Sequence, residues 1–126
     1  MQVWLFQANE YDLTKEISTR LGDYWEVRNY NGLEAQDKAI LWQSGPDAGV
    51  YAIGDLVSNA GQTKDGKWHV DIRYTPLLEP PVLKRDLLKH PVLRDLLVIR
   101  MPGRGNAMRV TPKEWQALEK LISREP

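Results

Sequence analysis

The sequence has no cysteine, two histidines and no long apolar run, and each shortage excludes a class of protein. Without cysteine there is neither a disulfide framework nor thiolate chemistry, which fits a reducing compartment. His69 and His90 are not in metal-ligand spacing, so a zinc site is not expected. No segment approaches the roughly 18 apolar residues that a membrane span requires, and the N-terminus lacks the regions of a signal peptide. We predict a cytoplasmic protein with no membrane partner and no metal or cofactor.

The composition is that of one ordinary globular domain spanning residues 1–126, with 42% hydrophobic and 27% charged residues. The net charge is zero, but its distribution along the chain is uneven. Residues 1–83 hold seven basic and twelve acidic side chains, whereas residues 84–109 hold seven basic and two acidic ones. A local basic excess suits a phosphate backbone, although it is also common on solvated surfaces. Candidate contacts to a nucleic-acid backbone are Lys84, Arg85, Lys89 and Arg104.

Alternating and continuous apolar patterns predict a set of short strands with helices before and after them. In Val3–Ala8 the odd-numbered and the even-numbered positions are both mainly apolar, which predicts a central strand covered on both faces. Asp12 is a plausible N-cap for a helix to about Leu21. The Thr111-Pro112-Lys113-Glu114 run is a capping box that opens the last helix. Further strands are predicted at 25–30, 38–43, 50–57, 68–74 and 97–101, with one or two short helical turns within 83–96. This arrangement predicts an α+β fold, a small closed or nearly closed β-barrel of about six strands flanked by helices.

The hairpin between the strands at 38–43 and 50–57 is the most informative part of the chain. Its turn, Ser44-Gly45-Pro46-Asp47, combines residues that favour tight turns. A tryptophan at the lip of this hairpin, Trp42, is followed by Gln43 and Ser44, a combination that suits a flat polar ligand such as a nucleobase. The alternative is that Trp42 is a core residue.

This hairpin also carries a family resemblance. The run Trp42-Gln-Ser-Gly-x-x-Ala-Gly-Val-Tyr-Ala-Ile-Gly-Asp55, preceded by Trp4-Leu-Phe-Gln-Ala-Asn9 and followed by Thr111-Pro-x-Glu114, resembles the EVE domain family. That family belongs to the PUA-like barrels, together with the YTH and ASCH groups. The resemblance implies a PUA-like fold and nucleic-acid binding, and some members hold a modified, flipped base in an aromatic cage. Where the family usually has Gly-Asp before the hairpin strand, this chain has Gln36-Asp37, which should affect a turn and not the pocket.

A base held outside its stack needs aromatic faces beside it and hydrogen bonds to its polar edge. The predicted walls are Trp25 and Trp42, and Trp68, Tyr51 and Phe6 are weaker candidates. The predicted polar contacts are Asn9, Gln7, Gln43 and Ser44. Similarity to YTH domains supports Asn9, which ends the first strand in Gln7-Ala8-Asn9, and Trp25, which follows the first helix as a cage tryptophan does there.

The sequence therefore predicts a binding module that recognises DNA or RNA carrying a modified base. An enzyme is not expected, because the phosphate-binding and nucleophile-elbow motifs are missing. The Lys-Thr-Glu constellation of ASCH hydrolases is also missing. Two alternatives stay open. One is an RNA-binding PUA-like domain, and the other is a protein-interaction module of a nuclease, restriction or toxin–antitoxin system.

Overall fold

The fold is built on one curled mixed sheet, seen in a computed structural model that describes residues 1–9 and 12–123. Its strands are β1 (Val3–Ala8), β2 (Gly22–Val27), β3 (Lys38–Gln43), β4 (Gly49–Leu56), β5 (Gly61–Gln62), β6 (Trp68–Tyr74), β7 (Val82–Leu83) and β8 (Met108–Val110). Six of them follow the order β2-β6-β4-β3-β1-β8, while the two-residue strands β5 and β7 pair with β6 and β4. The β1–β3 pair is parallel and the other pairs are antiparallel. The predicted α+β fold, a small barrel of about six strands flanked by helices, is confirmed, and the barrel is a half-barrel.

Among the described residues, four helices cover this sheet: α1 (Leu13–Thr19), α2 (Lys84–Leu87), α3 (Leu97–Arg100) and α4 (Pro112–Ser123). The predicted N-cap of α1 is confirmed, because the Asp12 carboxylate accepts a hydrogen bond from the Thr14 amide at 2.9 Å. Two 3-10 turns, Leu93–Asp95 and Pro102–Arg104, lie between the short helices and β8. In the described part of the chain, no helix combines the length and apolar character needed to cross a membrane.

Two core clusters lie on opposite faces of the central strands. Trp4, Phe6 and Ala8 of β1 belong to the first core cluster, which α1 covers through Leu13. Val3 and Leu5, whose side chains point to the opposite face of β1, belong to the second core cluster, which α4 covers. The prediction that β1 is covered on both faces is therefore confirmed.

Two predicted elements differ from the structure. The strand predicted at 97–101 is wrong, because Leu97–Arg100 forms α3 and its Val98 is buried in the second core cluster. A run of so few apolar residues fits either a strand or a helical turn, and packing decides between them. The strand predicted at 25–30 instead begins at Gly22. A Cβ at this glycine would lie 2.5 Å from the carbonyl oxygen of Ile72, so the close approach to β6 requires a residue without a side chain.

Candidate nucleic-acid interface

The half-barrel is open between its edge strands, β2 and β8, and Asn106, two residues before β8, links the end of β2 to β1 across this opening. The amides of Arg28 and Asn29, just after β2, donate to the Asn106 carbonyl oxygen at 2.6 and 2.9 Å. On the other side, the Asn106 side chain accepts from the Gln7 amide at 2.8 Å and donates to the Gln7 carbonyl at 3.3 Å. Beyond this bridge, towards Asn9, a cleft remains between the strands.

We call this cleft the β1–β2 depression, and its volume is about 550 Å³. That is within the range of about 300–1,000 Å³ typical of small-ligand pockets. Its lining consists of Gln7, Asn9, Glu16, Arg20, Asp23, Tyr24, Trp25, Glu26 and Asn106. Two neighbouring depressions also reach Asn9. The loop depression, about 450 Å³, includes Arg28 and the loop around Gly103, and the turn depression, about 490 Å³, includes Ser44 and Tyr51.

Parallel pairing brings the ends of β1 and β3 together, which places four predicted polar residues side by side. Ala8 pairs with Gln43 in register, and the Ser44 amide donates to the Ala8 carbonyl at 3.0 Å. The Gln7 side-chain amide donates to Ser44 Oγ at 2.7 Å, and Ser44 Oγ donates to Asn9 Oδ1 at 2.7 Å. We call Gln7, Ser44 and Asn9 the amide relay.

Gln43, the fourth of these residues, connects the relay to α1. Its Oε1 accepts from the Leu13 amide at 2.7 Å, and its Nε2 donates to the Ala8 carbonyl at 3.3 Å. The Leu13 amide is one of the free donors of the first helical turn. Gln43 therefore fixes the start of α1 against the strand ends that carry the relay.

Trp25, a predicted wall, is among the residues that line the β1–β2 depression, and nearly all of its ring is buried. Its exposed fraction is 4%, and it packs edge-on against Phe6 with ring centroids 5.9 Å apart. Its Nε1 donates to the Tyr74 hydroxyl at 2.9 Å. Burial raises the pKa of Tyr74 to about 12, so this hydroxyl stays protonated at neutral pH. Trp25 thus forms a fixed part of the floor, while Tyr24, 66% exposed, is the aromatic side chain at the rim.

The structure corrects the prediction for Trp42. Its exposed fraction is 3%, and it lies in the second core cluster with Ile40 and Val50. Successive side chains of a strand point to opposite faces, so Gln43 lies on the side of α1 and the first core cluster, whereas Trp42 lies on the side of α4 and the second core cluster. Trp42 is therefore a core residue and does not form a wall of the depression. The weaker candidate Phe6 is also fully buried, in the first core cluster.

The predicted backbone contacts lie at separate places on the surface. Arg104 is exposed in the loop whose Pro102, Gly103 and Gly105 line the loop depression. Lys84 and Arg85 line a separate depression of about 340 Å³ against the hairpin turn, where Pro46 and Asp47 are shared with the turn depression. Lys89 is exposed after α2 and lines none of these depressions.

Sequence reasoning missed several residues of the opening, above all Asn106, Glu26 and Arg28. Asn106 is 99 residues from its partner Gln7, and no local pattern links the two. Arg28 packs along Gly105, where a Cβ would lie 3.3 Å from its guanidinium. The alternation of β2, with Trp25 and Val27 buried, could have indicated that Glu26 is exposed.

The charges at the opening are partly neutralised. Arg20 lies 3.6 Å from Glu16 and 2.8 Å from Asp23, and these pairs are solvent-accessible. Within residues 1–9 and 12–123, no group of three or more histidines and carboxylates is arranged to hold a metal ion. The arrangement offers amide groups, a tryptophan floor and a mixed-charge rim, which suits binding of a polar planar group.

Solved structures share this fold over nearly the whole chain. A hypothetical protein from Leishmania major is 15% identical, with a TM-score of 0.84 over 99% of this chain and 96% of its own. Human THYN1, solved in complex with 5-methylcytosine-containing DNA, is 13% identical, with a TM-score of 0.81 over 100% of both chains. A protein from Agrobacterium tumefaciens is 20% identical, with a TM-score of 0.80 over 100% of this chain and 97% of its own. At these identities the likeness establishes the fold, which is PUA-like.

Sequence comparison gives the family. A search of curated proteins found no match. A family model described as the EVE domain matches residues 2–121, from the start of β1 through most of α4, and includes every residue of the amide relay. The chain therefore belongs to the EVE domain family.

Proposed function

We propose that this EVE domain is a nucleic-acid reader that holds one flipped, modified base in the β1–β2 depression. The observation that carries the proposal is the amide relay, in which Ser44 links Gln7 and Asn9, two amides that line one depression together with Trp25. A flipped base is recognised by hydrogen bonds to its edge and by contact with aromatic or apolar faces. THYN1, which has the same fold, was solved with 5-methylcytosine-containing DNA, and this supports the class of ligand.

Each residue would have a role in binding that its side-chain chemistry suits. Asn9 and Gln7 would bind the polar edge of the base, and Ser44 and Gln43 would position them. Trp25 would supply the apolar floor, and Tyr24 would supply a face at the rim. Arg104 on one side, and Lys84, Arg85 and Lys89 on the other, would contact phosphates flanking the base. The domain would act by binding and not by catalysis.

Affinity for a matched set of oligonucleotides tests this function. The set contains single- and double-stranded DNA and RNA of one sequence, with and without a modified central base. We expect tighter binding to a modified member, and the preferred backbone tells a DNA reader from an RNA reader. Failure to bind any member would overturn the proposal and favour the predicted protein-interaction alternative. The predicted restriction-system or nuclease partner and the cytoplasmic location stay predictions.

Asn9→Ala tests the assignment of the pocket. Loss of a hydrogen bond to a base edge should cost about 1–3 kcal/mol for the preferred base, and competing bases should change little. Asn31→Ala, an exposed amide in a turn away from the depression, is the matched control. Equal weakening of all bases by Asn9→Ala would make Asn9 a structural group that fixes the strand end.

A further inference from the structure

Glu26 is a carboxylate at the mouth of the proposed base pocket, and although Arg28 lines the loop depression with it, the two form no ion pair. It is exposed on β2 and lines both the β1–β2 depression and the loop depression, together with Gln7 and Asn9. The neighbouring carboxylates Glu16 and Asp23 are paired with Arg20, whereas Glu26 makes no ion pair or hydrogen bond with any described residue. A free negative charge repels nucleic acid unless it meets a hydrogen-bond donor of the ligand.

The amide relay leaves one donor and one acceptor for a ligand. Ser44 uses Gln7 Nε2 and Asn9 Oδ1, so Gln7 Oε1 and Asn9 Nδ2 have no partner among the described residues. A hydroxyl can rotate and amides can turn over, so the relay could also run in the opposite direction. The pocket would then still offer one amide donor and one amide acceptor. Glu26 differs from the amides because an ionised carboxylate can accept hydrogen bonds and cannot donate them.

We propose that Glu26 accepts a hydrogen bond from the exocyclic amino group of the flipped base. The inference rests on the proposed function and specifies the ligand as a base with an amino group, as in cytosine and adenine. Cytosine offers an amino donor, whereas thymine places a carbonyl oxygen at the same position. That oxygen would face the carboxylate with no proton between them, and both groups would lose water. The amides can adapt to either edge, so the selectivity comes from Glu26.

The sharpest probes are two oligonucleotides that differ in one pyrimidine, at the substituent on position 4 and at the N3 proton that accompanies it. One carries 5-methylcytosine and the other carries thymine, each opposite an abasic site so that neither loses a pairing partner on flipping. Wild type should prefer the 5-methylcytosine strand by about tenfold. Glu26→Gln should reduce this preference to about threefold or less, because an amide can present either an acceptor or a donor. Glu26→Gln should also bind both strands more tightly, since it removes a negative charge next to a polyanion.

The control variant is Glu119→Gln, which removes the same charge from the exposed side of α4 and should keep the preference. Thermal unfolding of both variants checks that the fold is intact, as expected for exposed side chains. A preference that persists in Glu26→Gln, or a wild type that prefers thymine, would overturn the inference while leaving the reader function in place. If wild type binds neither these strands nor any member of the wider oligonucleotide set, the proposed function itself fails.

Discussion

Trp42 fills space between β3 and the helices in the second core cluster, so its replacement should damage the fold. Trp42→Ala leaves a cavity where a large aromatic side chain is 3% exposed. We expect the free energy of unfolding to fall by about 3–5 kcal/mol. Chemical denaturation followed by circular dichroism measures this loss. Tyr24→Ala, which removes an aromatic side chain that is 66% exposed, should change stability by about 0.5 kcal/mol or less. If Trp42→Ala instead kept its stability and lost base binding, the prediction that Trp42 forms a wall of the pocket would be correct.

Gln36 has a backbone conformation that glycine adopts more easily. Its φ is 76°, in the left-handed region, and it precedes Asp37, whose buried carboxylate accepts from the Gln2 amide and from Trp4 Nε1, each at 3.0 Å. The strain of a side chain there exceeds the added freedom of glycine in the unfolded chain. We expect Gln36→Gly to raise stability by about 1 kcal/mol.

A control variant, also a substitution by glycine, is expected to change stability in the opposite direction. Gln116→Gly, in the exposed middle of α4, should lower stability by about 1 kcal/mol, because glycine is a poor helix former. Thermal unfolding of both variants under one set of conditions is the measurement. If Gln36→Gly also lowered the melting temperature, the turn would carry no strain that glycine relieves.

At the scale of single residues, the sequence predicts some of the residues that line the β1–β2 depression. Asn9 and Gln7 end a buried strand, where polar side chains are conspicuous, and the hairpin brought Gln43 and Ser44 into consideration. The sequence does not show which face of β3 turns towards the opening. The prediction that Trp42 forms a wall of the pocket is wrong for this reason. Register fixes that face, and register depends on pairing with distant strands. Asn106 and Glu26 join the site through the same long-range pairing.

At the scale of elements, α4 depends on the capping box that opens it. The Thr111 amide donates to Glu114 Oε1 at 3.0 Å, and the Glu114 amide donates to Thr111 Oγ1 at 3.1 Å. Thr111→Ala removes the hydroxyl acceptor, so we expect a loss of about 1 kcal/mol in the free energy of unfolding. The loss should affect the whole domain, because Trp115 and Leu118 of α4 are part of the second core cluster. Denaturant unfolding measures it.

Thr111→Ser is the matched variant, since it keeps the hydroxyl group. It should retain most of the stability, as serine and threonine both serve as N-caps. Equal losses in Thr111→Ala and Thr111→Ser would attribute the effect to the threonine methyl group and not to the cap.

The elements that the sequence predicted best are those with a local signal at their ends. Asp12 indicates the N-cap of α1, and the capping box from Thr111 to Glu114 indicates that of α4. Gly45-Pro46-Asp47 indicates the hairpin turn. The segment at 97–101 has no such signal. It became α3 because its apolar residues are packed against β8 and the neighbouring 3-10 turn, a contact between parts of the chain that a local pattern does not encode.

At the scale of the whole molecule, the family resemblance gave the fold, and folding redistributes the charge. The basic residues that cluster in sequence between positions 84 and 109 separate in space: Arg104 lies beside the loop depression, and Lys84 and Arg85 lie beside the hairpin turn. The acidic side chains Glu16, Asp23 and Glu26 line the β1–β2 depression. Under the proposed function, a nucleic-acid backbone would therefore meet cations beside the loop depression and beside the hairpin turn, and carboxylates at the mouth of the pocket.

The salt dependence of binding tests the phosphate contacts in this arrangement. Each phosphate contact releases about one counterion, so Arg104→Ala should lower the slope of log affinity against log salt by about one unit. All sequences should weaken alike, because phosphate contacts carry no information about the bases. Lys120→Ala, on the exposed face of α4, is the control and should leave the slope unchanged. If the slope is also unchanged in Arg104→Ala, Arg104 belongs to the solvated surface and contacts no phosphate. The nucleic-acid backbone would then have to run along the Lys84 and Arg85 side of the opening.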